Sequence, residues 1–193
     1  VERLYHATRA TLNDWVVQGS AVVDSVSGAS PLQHSTLSGA SGQGIGDTRR
    51  AGDVKVTRYF ERFAVGLGGA YSKENDYKSS AGHVDVRWFS PSKNTTVTVG
   101  AGVASDVIDS VNRIAINERR STNEWLLGLT QVLTPNDIVQ TNVTYASGSG
   151  YFNDPYKSFD VRPNSRNQLA WLVRWNHHFE AANATLRSTY RHY

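Results

Sequence analysis

The strongest constraint on this chain is a two-residue alternation of bulky and small or polar side chains, sustained over runs too long for an ordinary soluble strand. The alternation predicts strands at about 2–9, 15–25, 50–60, 63–72, 81–90, 94–105, 123–134, 138–147, 166–179 and 184–193. Phe63, Val65, Leu67, Gly69 and Tyr71 fall on one side of their strand, and Ala64, Gly66, Gly68, Ala70 and Ser72 on the other. Val97, Val99, Ala101 and Val103 oppose Thr96, Thr98, Gly100, Gly102 and Ala104 in the same way. Most of these runs reach ten residues or more. Strands of soluble domains average roughly five to six, whereas a strand crossing a bilayer needs roughly 9–11.

Connections alternate too. Short turns are expected at Ala10–Asp14, Glu61–Arg62, Ser90–Lys93, Pro135–Asp137 and Glu180–Asn183, and long polar connections at Val26–Arg49, Lys73–Ser80, Asp106–Thr122 and Gly148–Ser165. All five prolines lie in connections, where the missing backbone donor breaks no ladder. Short, long, short, long is the order of an up-and-down barrel with tight turns at one rim and large loops at the other. The expected fold is therefore all-β: a transmembrane antiparallel up-and-down β-barrel with about ten strands present, an incomplete part of a larger barrel. A secreted β-sandwich is the rival, because burial in a second layer imposes the same alternation.

Two features favour the membrane. Aromatic residues gather at strand ends, with Trp15, Phe60, Phe63, Trp88, Trp175 and Phe179 toward the short turns, and Tyr71, Trp125, Tyr145 and Trp171 toward the long loops. Two such belts are expected at the two membrane–water interfaces. Charges also sit deep within strands on the small-residue parity, at Asp53, Lys55, Asp85, Arg87, Glu124, Arg174, Arg187 and Arg191. A dry core would penalise them, whereas a wet lumen hydrates or pairs them. Gln131 and Arg58 fall on the bulky parity near short turns, and Glu2–Arg9 alternates poorly.

Composition limits the rest. The 193 residues carry 20 basic and 17 acidic side chains, a net charge of +3 too scattered to indicate nucleic acid. Mean hydropathy is −0.44, and no apolar run approaches the roughly 20 residues of a membrane helix. Cysteine is absent, which removes disulfides and thiolate metal sites. Methionine is absent as well, even at position 1. That absence, with an ending inside a strand, predicts one domain over 1–193 cut at both ends from something longer.

The segments Asp53-Val-Lys-Val-Thr-Arg58, Gly66-Leu-Gly-Gly-Ala-Tyr-Ser72 with Glu74 and Asp76-Tyr77, Tyr151-Phe-Asn-Asp-Pro-Tyr-Lys157 and Tyr190-Arg-His-Tyr193 resemble a known group. It is the uncharacterised bacterial outer-membrane barrel family catalogued as domain-of-unknown-function 3570, and the resemblance runs over nearly the whole chain. It implies a location in the outer membrane of a bacterium, with an upstream signal peptide and further strands downstream. It carries no activity and no catalytic residue.

Candidate chemistry is sparse. His83 and Asp85 share a face two residues apart, the best acid–base pair for an outer-membrane hydrolase. A hydrated structural pair accounts for them as well. His177 and His178 point to opposite faces of a regular strand and cannot hold one metal together. Asn153-Asp154-Pro155 with Asp160 reads as a turn rather than a calcium loop. Gly39–Gly46 lacks the Lys-Ser/Thr of a phosphate loop. No cofactor, metal site or enzymatic activity is expected. The inward basic residues outnumber the acids, which predicts a porin-like or transport-associated barrel with a mildly basic lumen, in contact with outer-membrane lipid. The alternative is a non-conducting barrel whose long loops bind a surface ligand or assist assembly, with periplasmic or surface proteins as partners.

Overall fold

A computed structural model of the chain describes residues 2–28, 45–157 and 159–193. These residues form ten strands: β1 (Glu2–Leu12), β2 (Trp15–Gly28), β3 (Ile45–Tyr59), β4 (Phe63–Lys73), β5 (Tyr77–Phe89), β6 (Thr95–Ile108), β7 (Glu118–Thr134), β8 (Asp137–Gly150), β9 (Ser165–Phe179) and β10 (Ala184–His192). They join one antiparallel sheet in sequence order, with β1 and β10 at its edges. The up-and-down order follows from the connections, since neighbours joined by tight turns have no reach to pair elsewhere. A single 3₁₀ turn at Glu180–Ala182 links β9 to β10, and Asn183 takes the left-handed conformation that Asn tolerates.

Strand count and order match the sequence reading, but the strands run further toward the long-loop rim. The connection expected over Lys73–Ser80 shrinks to residues 74–76, because Tyr77 to Ser80 pair with Ile108 to Ser105. The connection expected over Asp106–Thr122 shrinks to 109–117, and that over Gly148–Ser165 to 151–164. These extensions are rich in Ser, Gly and charged residues, so hydrophobic alternation does not mark them. The run Glu2–Arg9, which alternates poorly, pairs along its whole length with β2. The Gly39–Gly46 run lies outside the described residues except for Ile45 and Gly46 at the start of β3.

One pairing row crosses the whole sheet. It runs Leu12–Trp15–Arg58–Val65–Val86–Val99–Leu127–Val143–Trp171–His192. Leu12 and Trp15 flank the first short turn, whereas Trp171 lies eight residues before Phe179, where the last short turn begins. Setting the short turns level inclines the strands by about 35°, from eight residues of roughly 3.3 Å against eight strand spacings of roughly 4.8 Å. Closed barrels have strands inclined by about 35–45°.

Among the described residues no second layer covers the bulky face. Leu67, Val99 and Leu127, in the middle of that face, keep 66%, 54% and 58% of their surface exposed. Among the described residues the buried hydrophobic side chains are Val16, Ala64 and Ala115 alone. The described residues form one sheet rather than two packed ones, and its valines, leucines and tryptophans do not meet one another across a shared interior.

Candidate functional site

The bulky face organises its aromatics at two levels. Trp15, Phe63 and Phe179 are terminal strand residues at short turns, Phe60 lies within such a turn, and Trp88 is one residue inside its strand. Trp175 sits four residues further in. On the other level, Tyr71 is eight residues from Phe63, Tyr145 eight from Asp137, Trp171 eight from Phe179 and Trp125 nine from Thr134. At the inclination derived above, these four rings stand about 22–24 Å from the short-turn rim. All ten aromatic side chains are exposed.

Polar exceptions on this face are held close to the short turns. The Arg58 guanidinium lies 5.2 Å from the Trp15 ring centre and 4.8 Å from that of Phe60. Gln131 accepts a 2.7 Å hydrogen bond from Thr95 Oγ1 and donates to the Val132 carbonyl at 2.9 Å. Asp137, the first residue of β8, accepts from Trp175 Nε1 at 2.9 Å and stands 2.8 Å from His177 Nδ1. His178, on the opposite face, is 3.1 Å from Thr185 Oγ1.

The small-residue face carries the charges, and their surroundings differ from strand to strand. Asp85 on β5 is ion-paired with Lys55 reaching across from β3, and its second oxygen lies 3.5 Å from Arg87 Nε. Lys55 reaches it by crossing β4 at a glycine: a Cβ on Gly66 would sit 2.7 Å from Lys55 Cε. The His83 ring fills the equivalent space above Gly68. Asp53 accepts a hydrogen bond from Ser20 Oγ. On the other side of β5, Gly100 and Gly102 floor a depression of about 330 Å³ between His83, Asp85 and Arg87 on one wall and Glu124 and Leu126 on the other. A second depression of about 310 Å³ separates Glu124 from Arg191 and Tyr193. Glu124, Arg174 and Arg187 make no hydrogen bond or ion pair among the described residues, while Arg191 Nη1 donates to Tyr193 Oη at 2.9 Å.

His83 and Asp85 share this face as expected but do not form a dyad. The Asp85 carboxylate is committed to Lys55 and Arg87, and no hydrogen bond joins it to the imidazole.

The long-loop rim holds a cluster that alternation does not reveal. Arg120 Nε donates to Asp106 Oδ2 at 2.8 Å, Nη2 lies 2.8 Å from the same oxygen, and Nη2 donates to Tyr77 Oη at 2.8 Å. The same guanidinium lies 5.7 Å from the Tyr77 ring centre and 5.6 Å from that of Phe152. Phe152 packs where Gly148 leaves room, since a Cβ there would be 2.8 Å from its Cζ. Gly150 has φ +115°, a conformation that admits glycine at the point where the chain turns past Arg119.

From this base three connections lock together. Tyr156 Oη donates to Asp76 Oδ2 at 2.6 Å and accepts from the Val111 amide at 3.2 Å, and Asn112 Nδ2 donates to the Pro155 carbonyl at 2.8 Å. Within the 151–164 connection, Asp160 accepts the Asp154 amide at 2.6 Å and pairs with Arg162, while Asp154 pairs with Lys157. The Asn153-Asp154-Pro155 carboxylates and amides are thus spent on the turn itself. The Asp154 amide, with Arg162 adding to it, holds the Asp160 carboxyl below its ordinary range, and burial raises the Tyr151 phenol. Asp76-Tyr77 and Tyr151–Lys157, distant in sequence, are brought together here.

Comparison with known proteins adds one finding. No curated protein and no solved structure matches the chain. A family model matches residues 1–117 and again residues 110–193. Those two stretches span the sequence from end to end, and the chain belongs to the family described as protein of unknown function, DUF3570.

Proposed function

We propose that this chain forms the wall of a bacterial outer-membrane β-barrel, porin-like or transport-associated, with its bulky face in lipid and its small-residue face around a mildly basic, water-filled lumen. The observation that carries this reading is the uncovered bulky face bounded by two level rows of aromatics. A spacing of about 22–24 Å between the rows fits a lipid-facing apolar band of about 25 Å. Large contiguous apolar surface on a water-soluble monomer is rare, and here it alternates along each strand with a charged opposite face. The inclination of about 35° points the same way.

Leu126 and Leu127 are adjacent on β7 and lie on opposite faces, so they test the assignment directly. In the full-length protein, Leu127→Arg is expected to weaken folding into lipid bilayers by about 2–4 kcal/mol, the cost of a guanidinium at mid-membrane. Leu126→Arg is expected to fold nearly as the parent does. Equal effects of the two, or a parent protein that stays monomeric in water without detergent, would overturn the reading. Planar-bilayer conductance then decides whether the lumen is open.

The interlocked rim favours a second reading, in which the barrel's work is done by its loops. Tyr156, Asp76, Asn112 and Val111 fix three connections against one another. A surface fixed in this way suits recognition of a protein partner. A folded barrel without conductance would support it.

A further inference from the structure

We propose that the β9–β10 part of the polar face binds a soluble oxyanion, carrying a phosphate, sulfate or carboxylate group, between Arg174, Arg187 and Arg191. The inference rests on the reading of that face as the wet interior of a barrel, and it names a class of solute for that interior.

The register makes the site. Arg174 on β9 lies opposite Thr189 of β10, so Arg187 and Arg191 are its two diagonal neighbours on the same face. Diagonal positions of paired strands are about 7–8 Å apart, well within reach of three long side chains converging on one small group. On its other side Arg174 faces Gln140 of β8. Thr189 and Gln140 add neutral hydrogen-bond donors on either side of the central guanidinium.

Charge makes the same point. On β3 to β7 of this face, cations come with carboxylates: Lys55 and Arg87 with Asp85, and Arg120 with Asp106. On the polar parity of β8, β9 and β10 there is no Asp or Glu at all, and Arg174 and Arg187 have no partner among the described residues. Three guanidiniums drawn together repel unless an anion lies between them. Their planar forks match the oxygens of phosphate, sulfate and carboxylate better than they match a spherical ion.

Asn176 lies opposite Arg187. Its side-chain oxygen is buried without a hydrogen-bond partner. Buried acceptors left unmet are uncommon. An Arg187 side chain drawn inward by an anion supplies the missing N–H from one edge of its fork while the other edge meets the ligand.

The test uses the full-length protein purified in detergent, with inorganic phosphate and sulfate titrated against chloride at equal ionic strength. Phosphate is expected to bind, and the Arg174→Gln/Arg187→Gln pair to weaken it at least tenfold. Arg119→Gln, on the opposite parity, is expected to leave affinity unchanged. Arg187→Lys keeps the charge but loses the fork, and is expected to weaken phosphate severalfold even if the double variant fails to fold. Folded parent protein that binds phosphate no better than chloride overturns the proposal, as it would if acidic side chains from elsewhere already neutralise the arginines. Affinity unchanged in Arg187→Lys and the double variant also overturns it. So does binding that appears only when phosphatidylglycerol is supplied, which would assign the arginines to a lipid headgroup. Because the titration needs no ion flow, phosphate binding without conductance keeps this site and removes the pore.

Discussion

The β3–β7 and β9–β10 parts of the polar face carry the same kinds of charge in opposite circumstances. In the first, Lys55 and Arg87 converge on Asp85, and Arg120 on Asp106, with glycines clearing the space between strands. In the second, Arg174 and Arg187 extend from strands that offer them no acid. Opposite charges two strands apart do not suffice for an ion pair. The strand between them must also be stripped of side chains, and Gly66 does that for Lys55, whereas Arg120 and Asp106 lie directly opposite each other. The contrast assigns the first region to holding the wall together and leaves the second free for a ligand.

That division is broken most sharply at Asp85. Its replacement by Ala leaves two cations facing each other over a buried site, and should lower stability by about 3 kcal/mol, the low end for a buried pair because Lys55 and Arg87 remain partly exposed. Urea unfolding of the detergent-solubilised protein measures it, and a loss below half that value would remove the structural role. Gly66→Ala comes next. The new methyl meets Lys55 Cε and Asp85 Oδ1, and should cost about 1–3 kcal/mol. Gly82→Ala, whose Cβ would have nothing nearer than 3.8 Å, should be close to neutral in the same assay.

In the second region the expected stability effect is small. Arg187→Gln should change unfolding by less than about 0.5 kcal/mol, while lowering the anion preference measured from reversal potentials. A large destabilisation there would mean that the arginines are structural after all. The least effect is expected at the loops. Asp160 is held below its ordinary pKa, so its contribution is complete above the unfolded value of about 3.9 and is lost as pH falls through the folded one. Protection against hydrogen exchange over residues 153–162, taken relative to intrinsic rates, should therefore fall below about pH 4, and Asp160→Asn should flatten that dependence.

How much of this was legible in the sequence depended on which signal each part leaves. Bulky–small alternation marks a strand wherever it crosses the apolar band, so the ten strands and their order were readable. It goes silent at Lys78–Ser80 and Arg119–Thr122, where both faces are polar, so the strands it marks stop short of the true ends. The parity of Asp85 and Arg174 was readable for the same reason. Which of them is paired was not, because that depends on register and on what stands between. Tyr156 and Asp76 meet across 80 positions of sequence, and no local pattern announces that contact.

The strict neighbour-to-neighbour order of the strands bears on how such a chain reaches its final form. Each strand's ladder partners are the next ones along the chain, so extending the sheet never requires capturing a distant strand. Low separation between partners speeds folding. It also allows growth by addition of one hairpin at a time onto an existing template, so that, on the proposed placement in a bilayer, each entering strand finds a waiting edge rather than bare hydrocarbon.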